Sequence, residues 1–177
     1  MNNGGVKNGG VNRVLAALAV VLVAAACSGG GSSKTGAPPL RIDLAPAGVA
    51  AVEAARGGPQ QYTEINAFDQ GVNLFVATGD GNELAYVYRD GHLDPPASPE
   101  TATGTPFGLQ GVAVDAGPRL LADVKTRMPE VTPVAITLVQ RPVEGLVWDV
   151  GVLGEKGGRI DMLYTPAGVF LGPVADQ

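Results

Sequence analysis

Twice along this chain a helix-length segment is followed by three runs of alternating side chains, and that succession limits the fold more than any other feature. The first helical segment opens at Pro46-Ala47-Gly48-Val49 and runs to about Arg56. Proline suits a first helical turn, where its missing N–H would have no partner, and Gly57-Gly58 supplies a C-terminal stop. Three β-runs come next: Tyr62 to Phe68, Val72 to Thr78, and Glu83 to Arg89. The turn between the last two contains Asp80-Gly81, a pair that accepts the positive φ of a tight hairpin.

The second set begins at Asp115-Ala116-Gly117-Pro118. Asp115 is expected to cap the helix with its carboxylate. Leu120, Leu121, Val124 and Met128 fall on one helical face, and Pro129 ends the segment. The runs Val131 to Gln140, Gly145 to Leu153 and Arg159 to Tyr164 follow, then a short strand, Val169 to Leu171, after a turn at Pro166-Ala167-Gly168. Side chains two apart share a strand face. Leu146, Trp148, Val150 and Val152 therefore form one apolar face, with Trp148 in the core, while Ile160, Met162 and Tyr164 form another.

A helix followed by an antiparallel sheet, twice, predicts an α+β fold of two tandem repeats. The repeats are expected at 40–93 and 107–177, joined by a Pro-, Thr- and Ala-rich linker at 94–106. Phe107 to Val114 is expected as an extra strand joining the halves. Each sheet would lay one face on its helix and leave the other open. This order resembles exported PepSY-type modules, and the tandem form resembles the β-lactamase inhibitory protein family. The resemblance implies binding or inhibition, with the open sheet faces as contact surfaces.

The first residues predict a different kind of segment. Lys7 and Arg13 precede an uncharged apolar run, Val14 to Ala26, of 13 residues. A helix needs about 20 residues to span a bilayer, so this run fits a secretory signal peptide at 1–26. Ala24-Ala25-Ala26-Cys27 resembles the lipobox of a bacterial, actinobacterial-type lipoprotein. That resemblance implies acylation of the Cys27 thiol and cleavage just before it. Cys27 is the single cysteine of the chain, so no intramolecular disulfide can form. The following Ser-Gly-Gly-Gly-Ser-Ser stretch predicts a flexible tether at 27–39. The expected location is the extracytoplasmic face of the cell membrane, with the membrane itself a partner through the N-terminal lipid.

Charge narrows the partners. Removing the leader leaves 10 basic residues against 17 acidic ones. That balance argues against nucleic acid and against a polybasic grip on anionic lipid.

Chemistry is sparse. The chain has one histidine, His92, at a hairpin turn, and a solvated turn residue is the simplest reading. No nucleophile elbow is found past the leader, and zinc-type sites want more His and Cys than are present. Asp80-Gly81-Asn82-Glu83 lacks the ligand spacing of a calcium loop, and in Gly151 to Arg159 the lysine stands outside the phosphate-loop pattern. Asp149 and Asp161 remain. They sit on neighbouring strand runs, and pairing through the loop at 154–158 would put both on one sheet face. A close pair would do acid–base work, but solvated positions on the outer face of a one-sided sheet account for them better. The expectation is a non-enzymatic binding module without catalytic, cofactor or metal residues. Its partner would be an envelope protein or a lipid or glycan ligand. A carboxylate-using hydrolase or accessory subunit and a lipid carrier are the alternatives.

Overall fold

A single row of large side chains crosses seven strands and organises the core: Tyr86, Leu74, Ile65, Leu138, Trp148, Tyr164 and Phe170 stand in successive register. All but Phe170 are buried. The computed structural model describes residues 39–175, which belong to one compact unit. A 3-10 turn, Ile42–Leu44, leads into α1 (Ala45–Arg56), β1 (Tyr62–Ala67), β2 (Gly71–Ala77) and β3 (Asn82–Arg89), then the short β4 (His92–Leu93) and β5 (Glu100–Thr101). A second 3-10 turn, Val114–Ala116, leads into α2 (Gly117–Arg127), β6 (Thr132–Arg141), β7 (Gly145–Leu153), β8 (Arg159–Tyr164) and β9 (Phe170–Ala175). The fold is α+β, and the strands form one antiparallel sheet in the order β4-β3-β2-β1-β6-β7-β8-β9, with β5 on β3.

The sequence left open whether the halves share a sheet. They do: β1 and β6, the first full strand after each helix, pair antiparallel at the centre, Ile65 opposite Leu138. Both helices lie over the face that carries the large row. A Cβ at Gly48 would stand 3.0 Å from Val72 Cγ2 and 3.2 Å from Tyr88 Cβ, so α1 approaches the sheet closely there. Gly117, at the start of α2, is tighter still, since a Cβ would fall 2.3 Å from Ile42 Cγ1. The C-terminal end of α2 is tied to the sheet through Asp123, which accepts from Tyr164 Oη at 3.0 Å and from Arg127 Nε at 2.6 Å. Arg127 in turn lies over the Phe170 ring at 4.0 Å.

Three local expectations meet a different structure. Asp115 makes no capping hydrogen bond, because it lies inside the second 3-10 turn and its backbone is already helical rather than extended, as a cap requires. Phe107 to Val114 forms no strand; Phe107 makes one bridge, exchanging backbone hydrogen bonds of 2.7 and 2.8 Å with Tyr62. The 94–106 segment runs along the outer edge of β3: the amides of Asp94 and Ala97 donate to Val87 and Ala85, and β5 pairs with Asn82 and Glu83. Covering an edge in this way removes a template for strand addition. The far edge, β9, is interrupted by Gly172, at φ 148°, and by Pro173, which has no N–H to offer.

Candidate functional site: the open sheet face

The row beside the large one points away from the helices. Its register reads Val87, Asn73, Asn66, Thr137, Asp149, Leu163 and Gly172. Asn73, Asn66, Thr137 and Asp149 thus make a continuous polar stretch over the four central strands. Asn73 Nδ2 donates to Asn66 Oδ1 at 2.8 Å, and Asn66 Nδ2 donates to Glu64 Oε1 at 2.5 Å. Phe75, Glu64 and Val139 form the next row on the same face. These seven residues, Asn73, Asn66, Thr137, Asp149, Phe75, Glu64 and Val139, are all partly buried.

The second half of this face holds a charge network. Asp149 and Asp161 do share the face, because Gly151 stands opposite Asp161 and two positions from Asp149. A guanidinium lies between them: Arg141 Nη1 is 3.0 Å from Asp149 Oδ2 and 3.9 Å from Asp161 Oδ2. Arg159 Nε is 3.1 Å from Asp161 Oδ1, and Glu144 Oε2 is 3.8 Å from Arg141 Nε. The arrangement is an ion-pair network built around arginines. It does not have the form of two carboxyls in direct contact sharing a proton.

Local sequence explains the placement. Arg141 lies opposite Gly145, two rows from the Thr137–Asp149 pair. To reach Asp149 its stem crosses the Val139–Val147 row, and Val147 is fully buried although it points away from the helices. Arg159 uses the space left by Gly151, where a Cβ would fall 2.9 Å from Arg159 Nη2. Neither arginine was singled out by sequence reasoning. The available signal was period two: Arg141 follows Val139, and Arg159 precedes Asp161, on the face of the two acids.

The remaining candidates are separate from this network. His92 is exposed in β4, with Nε2 3.9 Å from Asp94 Oδ1. Asp80 accepts from the Thr78 hydroxyl and from the Asn82 amide, and these bonds, the Thr78 one foremost, hold its carboxyl below the usual range. Glu83 is buried and accepts from the Thr63 hydroxyl at 2.5 Å. The loop at 154–158 closes a hairpin, with Gly157 N donating to Gly154 O and Gly154 N to Gly158 O. Trp148 is fully buried as expected, and its Nε1 and the Tyr62 hydroxyl have no hydrogen-bond partner among the described residues. Cys27 lies outside the described residues. Among the described residues there is no group of three His, Cys, Asp or Glu placed to hold a metal, and no helix long and apolar enough to cross a membrane.

No protein-family model, curated protein or solved structure matches this chain.

Proposed function

We propose that this chain is a cell-envelope lipoprotein, anchored through Cys27 to the extracytoplasmic face of the membrane, whose folded unit is a non-enzymatic binding module. One observation carries the binding reading: the polar row Asn73, Asn66, Thr137 and Asp149, flanked by Phe75 and Val139, lies on the sheet face away from both helices. A sheet face mixing amides, an aromatic ring and aliphatic side chains suits a macromolecular contact better than a small-molecule cleft. The two acids, engaged by arginines, give the hydrolase alternative little support.

The finer architecture belongs to the same reading. A helix followed by strands occurs in each half, and the halves meet antiparallel at β1 and β6. That symmetry supports tandem PepSY-like or inhibitory-protein-like repeats, with the open face as their joint contact surface.

The test has two arms. Intact mass of the detergent-extracted chain is expected to show an acylated N-terminal cysteine at Cys27; an unmodified thiol overturns the anchor. Capture from solubilised envelope is expected to recover a partner with the wild-type chain and lose it with Asn66→Arg. Equal recovery by both overturns the open face as the contact surface.

A further inference from the structure

We infer that the cleft between the β6–β7 turn and β9 receives a partner polypeptide segment that presents an apolar side chain next to a lysine or arginine; this rests on the binding-module reading. The cleft has a volume of about 170 Å³ and is lined by Glu144, Leu163, Leu171, Gly172, Pro173 and Val174. Leu163, almost fully buried, belongs to the polar row of the open face and stands opposite Gly172. A Cβ at Gly172 would meet nothing within 4 Å, so the depression lies where the strand carries no side chain. Leu171 is 54% exposed at the rim. The space is that of one aliphatic side chain, and its walls are apolar except for one carboxylate.

That carboxylate sets the charge of the occupant. Glu144 Oε2 stands 3.8 Å from Arg141 Nε, too far for a hydrogen bond, while the same guanidinium binds Asp149 at 3.0 Å. Among the described residues the adjoining ion pairs join three carboxylates, Glu144, Asp149 and Asp161, to two guanidiniums, Arg141 and Arg159. An incoming cation therefore gains a carboxylate whose own cation is engaged elsewhere, whereas an incoming anion meets an excess of negative charge. A second copy of this chain is a poor occupant, since each carries a net charge of −5.

The minimal probe of this chemistry is n-hexylammonium, an aliphatic chain ending in a cation, with hexanoate as its anionic counterpart. Each is titrated into the full chain while the methyl resonances of Leu163, Leu171 and Val174 are followed. The expected result is a saturable shift of these methyls with n-hexylammonium. Binding should weaken about two- to fivefold in Glu144→Gln, the range for one exposed charge pair. Hexanoate should bind more weakly than n-hexylammonium, and Leu171→Ser should weaken both. Unsaturable shifts, shifts centred elsewhere, or equal affinity for both ions overturn the inference. If the cleft fails while Asn66→Arg still abolishes partner capture, the open-face reading stands without it. If capture is unaffected by Asn66→Arg but the cleft titrates as expected, the site stands and the wider contact surface is wrong.

Discussion

Arg141 spans two rows of the sheet to place Nη1 3.0 Å from Asp149 Oδ2, and the same atom lies 3.9 Å from Asp161 Oδ2. The side chains of Asp149 and Asp161 are only 15% and 10% exposed, so the shared guanidinium compensates charge that water reaches poorly. Arg141→Ala is therefore expected to cost about 1–3 kcal/mol, below the figure for breaking a fully buried pair. Arg159 is 46% exposed, and Arg159→Ala should cost less than about 1 kcal/mol. Urea unfolding of the two variants checks the order; an equal or reversed order would show that Arg141 does not hold the network.

Much of this arrangement was legible in the sequence, and the part that was not has a physical reason. The alternation from Leu146 to Val152 marks both the strand and its two faces, and the 154–158 hairpin puts Asp149 and Asp161 on one face. Arg141 was invisible because its role depends on the β6–β7 register and on a side chain that crosses a row of valines. Likewise, 94–106 has the composition of a linker. Its edge-capping role lies in backbone amides at Asp94 and Ala97, which composition does not report. Nothing in the local pattern of either half dictates that β1 pairs with β6, since that contact joins residues far apart in the chain.

The core predicts a distinct alkaline response. Burial is the main cause that raises the Tyr62 and Tyr164 hydroxyls above the ordinary tyrosine value of 10.0; nearby Glu53 adds to it at Tyr62, and the hydrogen bond to Asp123 at Tyr164. A raised folded-state value means the native protein keeps these protons while the unfolded chain releases them. Their contribution is full below about pH 10 and declines as pH rises from there through the folded-state values. Unfolding midpoints in urea should fall as pH rises above 10, and the tyrosinate absorbance of these two rings should appear only with unfolding. A Tyr62→Phe, Tyr164→Phe double variant should show a flatter decline; an unchanged profile would exclude these rings as its source.

Tyr62 carries a second expectation at neutral pH. Its hydroxyl is buried without a hydrogen-bond partner among the described residues, so desolvation of that group is uncompensated by them. Tyr62→Phe keeps the ring and removes the orphaned oxygen. It should leave stability unchanged or raise it by up to about 1 kcal/mol. Tyr164→Phe, by contrast, breaks the 3.0 Å bond to Asp123 and should destabilise by about 1 kcal/mol. Thermal unfolding of the two single variants compares an unpaired and a paired hydroxyl in one core. Destabilisation by Tyr62→Phe as large as that by Tyr164→Phe would mean that the Tyr62 hydroxyl does have a partner in solution.

Gly117 shows packing outweighing helix propensity. Its φ of −45° is ordinary helical backbone, so conformation alone would favour alanine, by about 1 kcal/mol in a helix interior. The added methyl, however, would lie 2.3 Å from Ile42 Cγ1 and 2.6 Å from Ile42 Cγ2. Ile42 is β-branched and 1% exposed, and it has little freedom to turn aside. Overpacking of this kind costs about 1–3 kcal/mol, and Gly117→Ala should be destabilising despite the propensity gain. Ile42→Ala removes both clashing methyl-bearing branches and should itself destabilise through the cavity it leaves. In the double variant the two losses should sum to less than their separate costs, since the new methyl of residue 117 then enters vacated space. Chemical denaturation of the four proteins of this cycle measures the coupling. Strict additivity would show that α2 is free to shift away from the Ile42–Leu44 turn, and that Gly117 does not set their distance.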